Sequence, residues 1–327
     1  MGRLDGKKIL ITGGEGFIGS HLTERSLEEG ADVRALVHYS PSGKVGWLEG
    51  VQADIEILQG DVRDGDRLMQ ACEGVDMVFH LAALIGIPYS YVAPESYVQT
   101  NVHGTYNVLN AARRMDVGRV LVTSTSEVYG TASRVPIDED HPLQPQSPYA
   151  ATKVGADALA VSFHRSFETP VAIVRPFNTY GPRQSTRAVI PMIISQLYSD
   201  SPEVHLGTLT PTRDFNYVTD TAGGFIAIST SDRALGEVVN LGSGREISIG
   251  DLAELLKKVT GIDKPITTDD DRMRPAASEV QRLLCDSARA RGWTGWEPQV
   301  SLEEGLARTA EWVRNNLEHL RAKQYHV

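Results

Sequence analysis

The sequence contains only two cysteines, Cys72 and Cys285, which stand far apart in the chain. Neither a disulfide framework nor a structural zinc site fits this pattern, because both need clustered or regularly spaced cysteines. His21, His80 and His103 show no ligand spacing either. We therefore expect two reduced, buried thiols and predict no metal site.

The chain also lacks a surplus of basic residues and a long apolar run. Its 327 residues carry a formal net charge of −10, which argues against general binding to nucleic acid or to an anionic membrane surface. No apolar run approaches the length of a membrane span, and the chain starts without an apolar signal segment. We expect a cytoplasmic protein that binds neither nucleic acid nor membrane.

The hydrophobic content of 41% allows a sizeable core, in one large α/β domain or in two lobes that share a cleft. Short β-branched runs alternate with helical patterns over the first two thirds, which is typical of a parallel sheet covered on both faces. The predicted strands are 8–11, 32–37, 55–59, 77–80, 119–123, 170–175 and 237–241. The predicted helices are 17–29, 67–72, 97–114, 149–167, 187–198, 249–260 and 302–317.

A glycine-rich loop, residues 12–19, joins the first predicted strand to the first predicted helix. Gly13, Gly16 and Gly19 allow a tight turn and close backbone approach, and the helix that follows offers unpaired N–H groups to a pyrophosphate. This order of strand, glycine loop and helix predicts a dinucleotide site on a doubly wound parallel sheet of the Rossmann type.

We therefore predict an α/β fold in two parts. Residues 1–180 form the dinucleotide-binding domain, and residues 214–248 return to it. Residues 181–213 and 249–327 form a second, smaller α/β lobe that binds the substrate.

The choice between NAD and NADP stays open from the sequence. No acid stands at the end of the second predicted strand, where many NAD sites hold the adenosine ribose. That absence leaves room for the 2′-phosphate of NADP. Alternatively, His38 and Ser40 hydrogen-bond the unphosphorylated ribose of NAD. Asp61 is a candidate acceptor for the adenine amino group.

Tyr149 and Lys153 lie four residues apart on one face of a predicted helix. The ammonium group and a nicotinamide cation would lower the phenol pKa from about 10, so that Tyr149 can take the proton of an alcohol. Thr125, Ser126 and Glu127 follow a strand that ends at the same edge of the sheet. Thr125 can share the hydrogen bond of the substrate hydroxyl, Ser126 can donate to a leaving oxygen, and Glu127 can move a proton bound to carbon.

With these motifs the sequence resembles the extended short-chain dehydrogenase/reductase family over nearly its whole length. The matching segments are 12–19, 80–83, 101–105, 175–182, Thr125 and the Tyr149/Lys153 pair. The predicted cofactor contacts are Gly13, Gly16, Phe17, Ile18, Gly19, His38, Ser40, Asp61, Val62, Leu81, Ala82, Ala83, Asn101, Thr123, Tyr149, Lys153 and Pro176.

By the same resemblance Asn178 faces the diphosphate of a nucleotide sugar. Guanidinium groups grip a diphosphate through paired hydrogen bonds, so arginines are the further candidates. These are Arg183, Arg187, Arg213, Arg272 and Arg274, of which Arg213 and Arg274 match the family pattern best. The complete set of predicted substrate contacts is Ile85, Thr125, Ser126, Glu127, Asn178, Arg187, Val189, Arg213, Asn240 and Arg274.

Within this family an acid at the position of Glu127 is typical of nucleotide-sugar 4,6-dehydratases and UDP-glucuronate decarboxylases. Segments 83–91, 136–149 and 182–185 are similar to bacterial 4,6-dehydratases of legionaminic-acid-type pathways, which act on nucleotide-linked N-acetylglucosamine. The resemblance implies an NAD- or NADP-dependent hydro-lyase that forms a 4-keto-6-deoxy sugar by internal hydride transfer from C4 to C6. The alternatives are a UDP-glucuronate decarboxylase, a 4-epimerase and a non-catalytic NAD(P)-binding protein.

The expected partners are a nucleotide-diphosphate sugar and a second copy of the chain. The predicted helices 97–114 and 149–167 are long and apolar, and they can pair between subunits as they do in many relatives. We therefore expect a homodimer.

Overall fold

The computed structural model describes residues 2–269, 275 and 278–321. Its strands are β1 (Lys8–Thr12), β2 (Asp32–Val37), β3 (Glu56–Gln59), β4 (Met77–His80), β5 (Arg119–Thr123), β6 (Val171–Pro176), β7 (Asn178–Tyr180), β8 (Val204–Leu206), β9 (Thr212–Tyr217), β10 (Val238–Leu241), β11 (Glu246–Ser248) and β12 (Ile266–Thr268). Its α-helices are α1 (Phe17–Glu28), α2 (Gly65–Ala71), α3 (Ile87–Val92), α4 (Pro94–Tyr97), α5 (Gly104–Arg114), α6 (Pro148–Phe167), α7 (Val189–Leu197), α8 (Val218–Ser229), α9 (Ile249–Thr260), α10 (Ala288–Thr294), α11 (Leu302–Asn315) and α12 (Leu317–Arg321).

Seven strands form one parallel sheet in the order β10-β6-β5-β4-β1-β2-β3. These are the seven strands that the sequence predicts, so the doubly wound Rossmann-type fold is confirmed. The chain moves outward in one direction from β1 and in the other from β4. The two strands are neighbours, so a crevice opens between their carboxyl ends, where such sheets bind ligands.

Consecutive residues of β1 point to opposite faces of the sheet and into two different cores. Ile9 and Ile11 pack with Leu22 of α1 and Phe225 of α8. Leu10 packs on the other face, in the core that α2, α5 and α6 cover. Both faces are therefore buried, which explains why these strands are almost wholly apolar.

A second group of elements lies beyond β6. Strands β11, β9 and β7 form a three-stranded sheet, and β12 pairs with β8. Helices α7, α9 and α11 pack around a shared core that includes Ile194, Leu252 and Leu306. Residues 214–217 lie in β9 and therefore belong to this small sheet, whereas α8 packs against α1 and β10 joins the large sheet. The domain boundaries drawn from the sequence stay a prediction.

The predicted helix 97–114 is interrupted in the structure. Helix α4 ends at Tyr97, a π-helical turn spans Val98–His103, and α5 begins at Gly104. The apolar periodicity of the sequence hardly changes across such a turn, because a π-helical turn widens the coil without reversing the chain.

Both cysteines are buried and unpaired. Burial raises the pKa of the Cys72 thiol to about 12 and also raises that of Cys285. Across the described residues, no three His, Cys, Asp or Glu side chains gather closely enough to hold a metal ion. Within the same part of the chain, no helix combines the length and the apolar character that crossing a membrane requires.

Candidate active site

The crevice begins where β1 and β4 end side by side. The Thr12 hydroxyl lies 2.8 Å from His80 Nδ1 and accepts two backbone N–H groups of the segment after β4, each at 3.2 Å. Its own proton therefore points to Nδ1, and the His80 proton lies on Nε2, 3.1 Å from the Thr105 hydroxyl. Burial lowers the pKa of His80 to about 3, so the imidazole is neutral and structural.

The glycine loop has no room for a side chain at Gly13 or Gly19. Gly13 has a φ of +71°, and a Cβ there would lie 3.0 Å from the Ala82 backbone. A Cβ on Gly19 would lie 2.1 Å from the Gly13 carbonyl oxygen. Gly16 precedes α1, whose N-terminus has no side-chain cap. This open helix end and the bare backbone before it fit the pyrophosphate of a dinucleotide.

The residues expected near the adenosine surround the end of β2. The backbone N–H of His38 donates to Glu15 Oε1 at 2.9 Å, and the Ser40 hydroxyl bonds a neighbouring serine at 3.0 Å. Asp61 is gripped by Arg63, whose guanidinium nitrogens lie 2.6 and 3.0 Å from the carboxylate oxygens. The hydrogen bonds from Arg63 lower the pKa of Asp61. Asp61 is therefore an ionised acceptor that already has a cationic partner.

Asn101 lies in the π-helical turn and joins two segments of the crevice wall. Its side chain exchanges two hydrogen bonds with the Leu84 backbone, at 2.8 and 2.9 Å, and donates to the Thr152 hydroxyl at 3.0 Å. The predicted role as a cofactor contact stays untested, but these bonds engage its amide with protein atoms. The structure places the other predicted cofactor residues as follows: Val62 is buried after β3, Leu81, Ala82 and Ala83 follow β4, Thr123 ends β5, Pro176 ends β6, and Phe17 and Ile18 begin α1.

Helix α6 presents Tyr149 and Lys153 on successive turns. The helix begins at Pro148, and the Ser147 hydroxyl caps it by accepting the Ala150 N–H at 3.1 Å. Both functional side chains are buried. Lys153 Nζ donates a short hydrogen bond to a backbone carbonyl at the end of β5. The helix cap and this bond fix both residues at the carboxyl edge of the sheet.

Burial controls the protonation of this pair. It lowers the pKa of Lys153 to about 8, against the opposing effect of the Asp157 carboxylate. It raises the pKa of Tyr149, while a hydrogen bond to Thr125 lowers it and the charge of Glu127 raises it. The direction for Tyr149 is opposite to the sequence prediction. That prediction relied on the nearby ammonium and on the positive charge of a bound cofactor, whereas loss of hydration on burial has the largest effect on the Tyr149 pKa in this structure.

Glu127 lies in a short 3-10 helix, Ser126–Tyr129, that follows β5. The Thr125 hydroxyl caps this helix by accepting the Glu127 N–H at 3.2 Å. Glu127 is half-buried, and its charge acts on the phenol of Tyr149. The structure therefore brings together a phenol, an ammonium, a hydroxyl and a carboxylate, which can act on an alcohol and on a neighbouring carbon acid.

The predicted substrate residues surround this group unevenly. The Asn178 amide nitrogen is shielded from solvent and has no hydrogen-bond partner in the described part of the chain, so it is a donor that suits a ligand oxygen. Arg213 is buried and pairs with Glu279 at 3.0 Å, so its charge is already balanced. Burial raises the pKa of Tyr97, and the charge of the exposed Arg187 opposes this increase. Ile85 is 69% exposed and Val189 begins α7 half-buried, whereas Arg272 and Arg274 lie outside the described residues.

A family model described as GDP-mannose 4,6 dehydratase matches residues 10–309. The chain belongs to this family. It is therefore an enzyme of the extended short-chain dehydrogenase/reductase class, in the group of nucleotide-sugar 4,6-dehydratases, epimerases and decarboxylases, and its glycine loop fits a nicotinamide dinucleotide.

Similar proteins from this group have different reactions in their names. A putative UDP-glucose 4-epimerase of Methanocaldococcus jannaschii is 32% identical over 94% of this chain and 99% of its own length. UDP-glucuronic acid decarboxylase 1 of Xenopus tropicalis is 33% identical over 98% of this chain and 75% of its own. The structure of DesIV, a dTDP-glucose 4,6-dehydratase of Streptomyces venezuelae solved with NAD, is 31% identical, covers 96% of this chain and 99% of that one, and superposes with a TM-score of 0.88.

The predicted substrate residue Asn240 lies in the interior of the protein. Asn240 is fully buried, its side-chain oxygen accepts from the Tyr129 hydroxyl at 2.8 Å, and its amide nitrogen donates to the Ile137 carbonyl at 3.1 Å. Arg175 donates to the same Tyr129 hydroxyl at 2.9 Å. The structure therefore brings Asn240 into a buried polar network and does not bring it to the Tyr149 group.

The sequence analysis missed an aromatic neighbour of the reacting phenol. The ring of Tyr97 meets that of Tyr149 edge to face at 6.3 Å, and that of Tyr89 lies 6.2 Å beyond it. The Tyr97 hydroxyl donates a short bond to the Gly86 carbonyl. In the sequence, Tyr97 begins a predicted helix, and a tyrosine there is equally typical of ordinary core packing. The sequence alone therefore does not indicate that it lies beside Tyr149.

Proposed function

We propose that the protein is a nucleotide-sugar 4,6-dehydratase that converts a nucleotide-linked hexose to its 4-keto-6-deoxy form. The observation that supports this most directly is the Glu127 carboxylate beside Tyr149. A site that only oxidises and reduces C4 needs the phenol and the lysine. Elimination of water additionally needs a group that removes a proton from carbon, and a half-buried carboxylate can do so.

Each residue of the site has a part in this reaction. Thr125 and Tyr149 hold the 4-hydroxyl of the sugar, and Tyr149 accepts its proton as C4 is oxidised. A nicotinamide dinucleotide held by the glycine loop would supply the hydride acceptor and donor that the transfer from C4 to C6 requires. Because the new ketone acidifies the neighbouring carbon, Glu127 removes the C5 proton and passes it to the C6 hydroxyl, which departs as water with Ser126 as hydrogen-bond donor. Glu127 then takes a proton from solvent and gives it to C5, while Tyr149 releases the proton of the 4-hydroxyl to solvent.

The buried Lys153 assists by charge. Its ammonium form dominates below a pKa of about 8, so near neutral pH the helix carries a positive charge one turn from Tyr149. This charge, together with that of the oxidised nicotinamide, favours the phenolate that proton removal requires.

We propose a nucleotide-linked N-acetylglucosamine as the substrate, on the likeness of segments 83–91, 136–149 and 182–185 to enzymes of that specificity. The diphosphate would meet Asn178, whose amide nitrogen has no partner in the described residues, and Arg187 at the exposed side of the crevice. Arg213 forms an ion pair with Glu279 at 3.0 Å, so it would bind the diphosphate only while it keeps or loosens this pair.

We further propose a homodimer that forms through α5 and α6 in the cytoplasm. Val98, Tyr106 and Phe167 are 48%, 41% and 50% exposed beside these helices. The Tyr106 and Phe167 rings both contact Phe163, at 6.1 and 5.2 Å, so they form one aromatic surface. Exposed aromatic rings in a continuous patch are typical of a protein interface. The two unpaired thiols suit a reducing compartment.

The experiment is incubation of the purified protein with UDP-, GDP- and dTDP-linked hexoses, including UDP-N-acetylglucosamine and UDP-glucuronate. Mass spectrometry of the products then separates the candidate reactions. Loss of water supports the dehydratase, and preference for the N-acetyl sugar supports the substrate. Loss of carbon dioxide identifies a decarboxylase, a product of unchanged mass with inverted C4 identifies an epimerase, and cofactor binding without turnover contradicts all three.

A further inference from the structure

The glycine loop brings an acid to the end of β2, where the sequence has none. Glu15 stands between Gly14 and Gly16, and its Oε1 accepts the backbone N–H of His38 at 2.9 Å. His38 is the first residue after β2. In sheets of this type the adenosine ribose lies at the end of this strand, where an acid often holds its hydroxyls. Glu15 occupies that place in space although it is distant from it in sequence.

Glu15 is also held from its other side. Its backbone carbonyl accepts the Trp47 N–H at 3.2 Å, and a Cβ on Gly46 would lie 2.7 Å from the same oxygen. The Trp47 ring in turn packs edge to face on Trp312, with centroids 5.4 Å apart. The loop after β2 thus packs against Glu15 and fixes the position of its backbone.

The second carboxylate oxygen has a different environment. Glu15 Oε2 is shielded from solvent, and no donor reaches it from any described residue. A carboxylate offers only acceptors, so an oxygen in this condition suits the hydroxyl groups of a ribose. A phosphate on the same ribose offers no donor when ionised and carries like charge, so it is repelled.

Two other charged side chains near the end of β2, Asp61 and Arg63, are paired with each other. Asp61 adds a second carboxylate, and its pKa shift shows that His38 lies close enough to act on it. Arg63 is the cation of this group, and it is forked onto Asp61 by bonds of 2.6 to 3.1 Å. The exposed Lys44 follows in the loop.

We propose that Glu15 selects the unphosphorylated adenosine ribose and thereby makes the protein specific for NAD over NADP. This inference rests on the dinucleotide part of the proposed function and not on the reaction or the sugar. It resolves the choice that the sequence leaves open, because the missing acid of β2 is replaced from the glycine loop.

The test is the affinity of the protein, freed of copurified nucleotide, for NADH and for NADPH without any sugar present. Fluorescence titration of the reduced nicotinamide gives both dissociation constants. We expect wild-type protein to bind NADH at least about 30-fold more tightly. In Glu15→Gln the amide oxygen can still accept the His38 N–H, but the charge is gone. The ratio of the two dissociation constants should therefore fall about tenfold or more, chiefly through tighter NADPH binding.

Glu49→Gln is the matched control, since it removes one exposed negative charge from the segment after β2 and should leave the ratio unchanged. Equal binding of the two nucleotides by wild-type protein overturns the proposal, and this result does not depend on how the variant folds. An unchanged ratio in a Glu15→Gln protein with normal thermal unfolding overturns it as well. If no sugar is dehydrated but NADH is still preferred, the proposed reaction fails and Glu15 keeps its role.

Discussion

The Asp157 carboxylate accepts two hydrogen bonds from the Arg175 guanidinium, at 3.0 Å from Nε and 2.9 Å from Nη2. Both residues are almost fully buried, and the Ser124 hydroxyl donates to the same carboxylate oxygen at 2.8 Å. Asp157 lies one turn beyond Lys153 on α6, so this pair fixes the helix of Tyr149 and Lys153 to β5 and β6. The Asp157–Arg175 pair thus helps to position Tyr149 and Lys153 without contacting the substrate itself.

Asp157→Asn should lower the free energy of unfolding by about 3 kcal/mol or more, because it leaves the Arg175 charge buried without a counter-charge. Urea unfolding measures this change. Asp232→Asn is the matched control. Asp232 pairs with Arg119 at 2.6 Å but its side chain is 88% exposed, so the same substitution should cost less than about 1 kcal/mol. Equal costs for the two variants would refute the positioning role.

Glu127→Gln should separate oxidation at C4 from elimination. The amide cannot take a proton from carbon, whereas Tyr149 and Lys153 still can act on the 4-hydroxyl. We expect reduced nicotinamide to appear by absorbance with the sugar, and release of the 4-keto-6-deoxy product to fall by about 100-fold or more. Glu311→Gln, at an exposed acid of α11, should behave as wild type. Unchanged product release in Glu127→Gln would sink the assignment.

His80 should make the fold sensitive to mild acid. Its pKa is about 3 in the folded protein against 6.5 for an ordinary imidazole, so between these values only the unfolded chain takes up the proton. This contribution to stability is complete above pH 6.5 and is lost as the pH falls toward 3, with a slope of up to about 1.4 kcal/mol per pH unit. Denaturant unfolding of wild type and His80→Asn between these pH values measures the difference. Parallel pH dependences would show that His80 does not contribute.

The aromatic surface of α5 and α6 should hold two copies together. Tyr106→Glu places a charge on this surface, so we expect a monomer in light scattering, at concentrations where wild type is a dimer. Leu143→Glu is the control, because Leu143 is 40% exposed, close to the 41% of Tyr106, but lies in the loop before α6. A wild-type monomer, or a Tyr106→Glu dimer, would exclude this interface.

Much of the architecture could be predicted from local patterns. Apolar runs mark most of the strands, and the predicted bounds of all seven agree with the structure within one or two residues. Parallel strands end at a common edge, so residues that follow them meet there. The position of Thr125 and Glu127 at this edge follows from this rule.

The rest depends on contacts between distant segments. Nothing in the sequence shows that Glu15 reaches His38, because that contact depends on how the glycine loop turns toward β2. The direction of Asn240 depends on which face of an edge strand meets the buried Tyr129. The pKa of Tyr149 depends on its burial, which spacing along a helix does not reveal.

The two cysteines have a practical consequence. Cys72 and Cys285 are enclosed by the core, and burial holds both thiols in the protonated form, which is a poor nucleophile. Maleimide reagents should therefore not react with either thiol in the folded protein. Two cysteines introduced at chosen surface positions would be labelled selectively, so the distance between the seven-stranded and the three-stranded sheet could be measured by fluorescence energy transfer without removing either natural thiol.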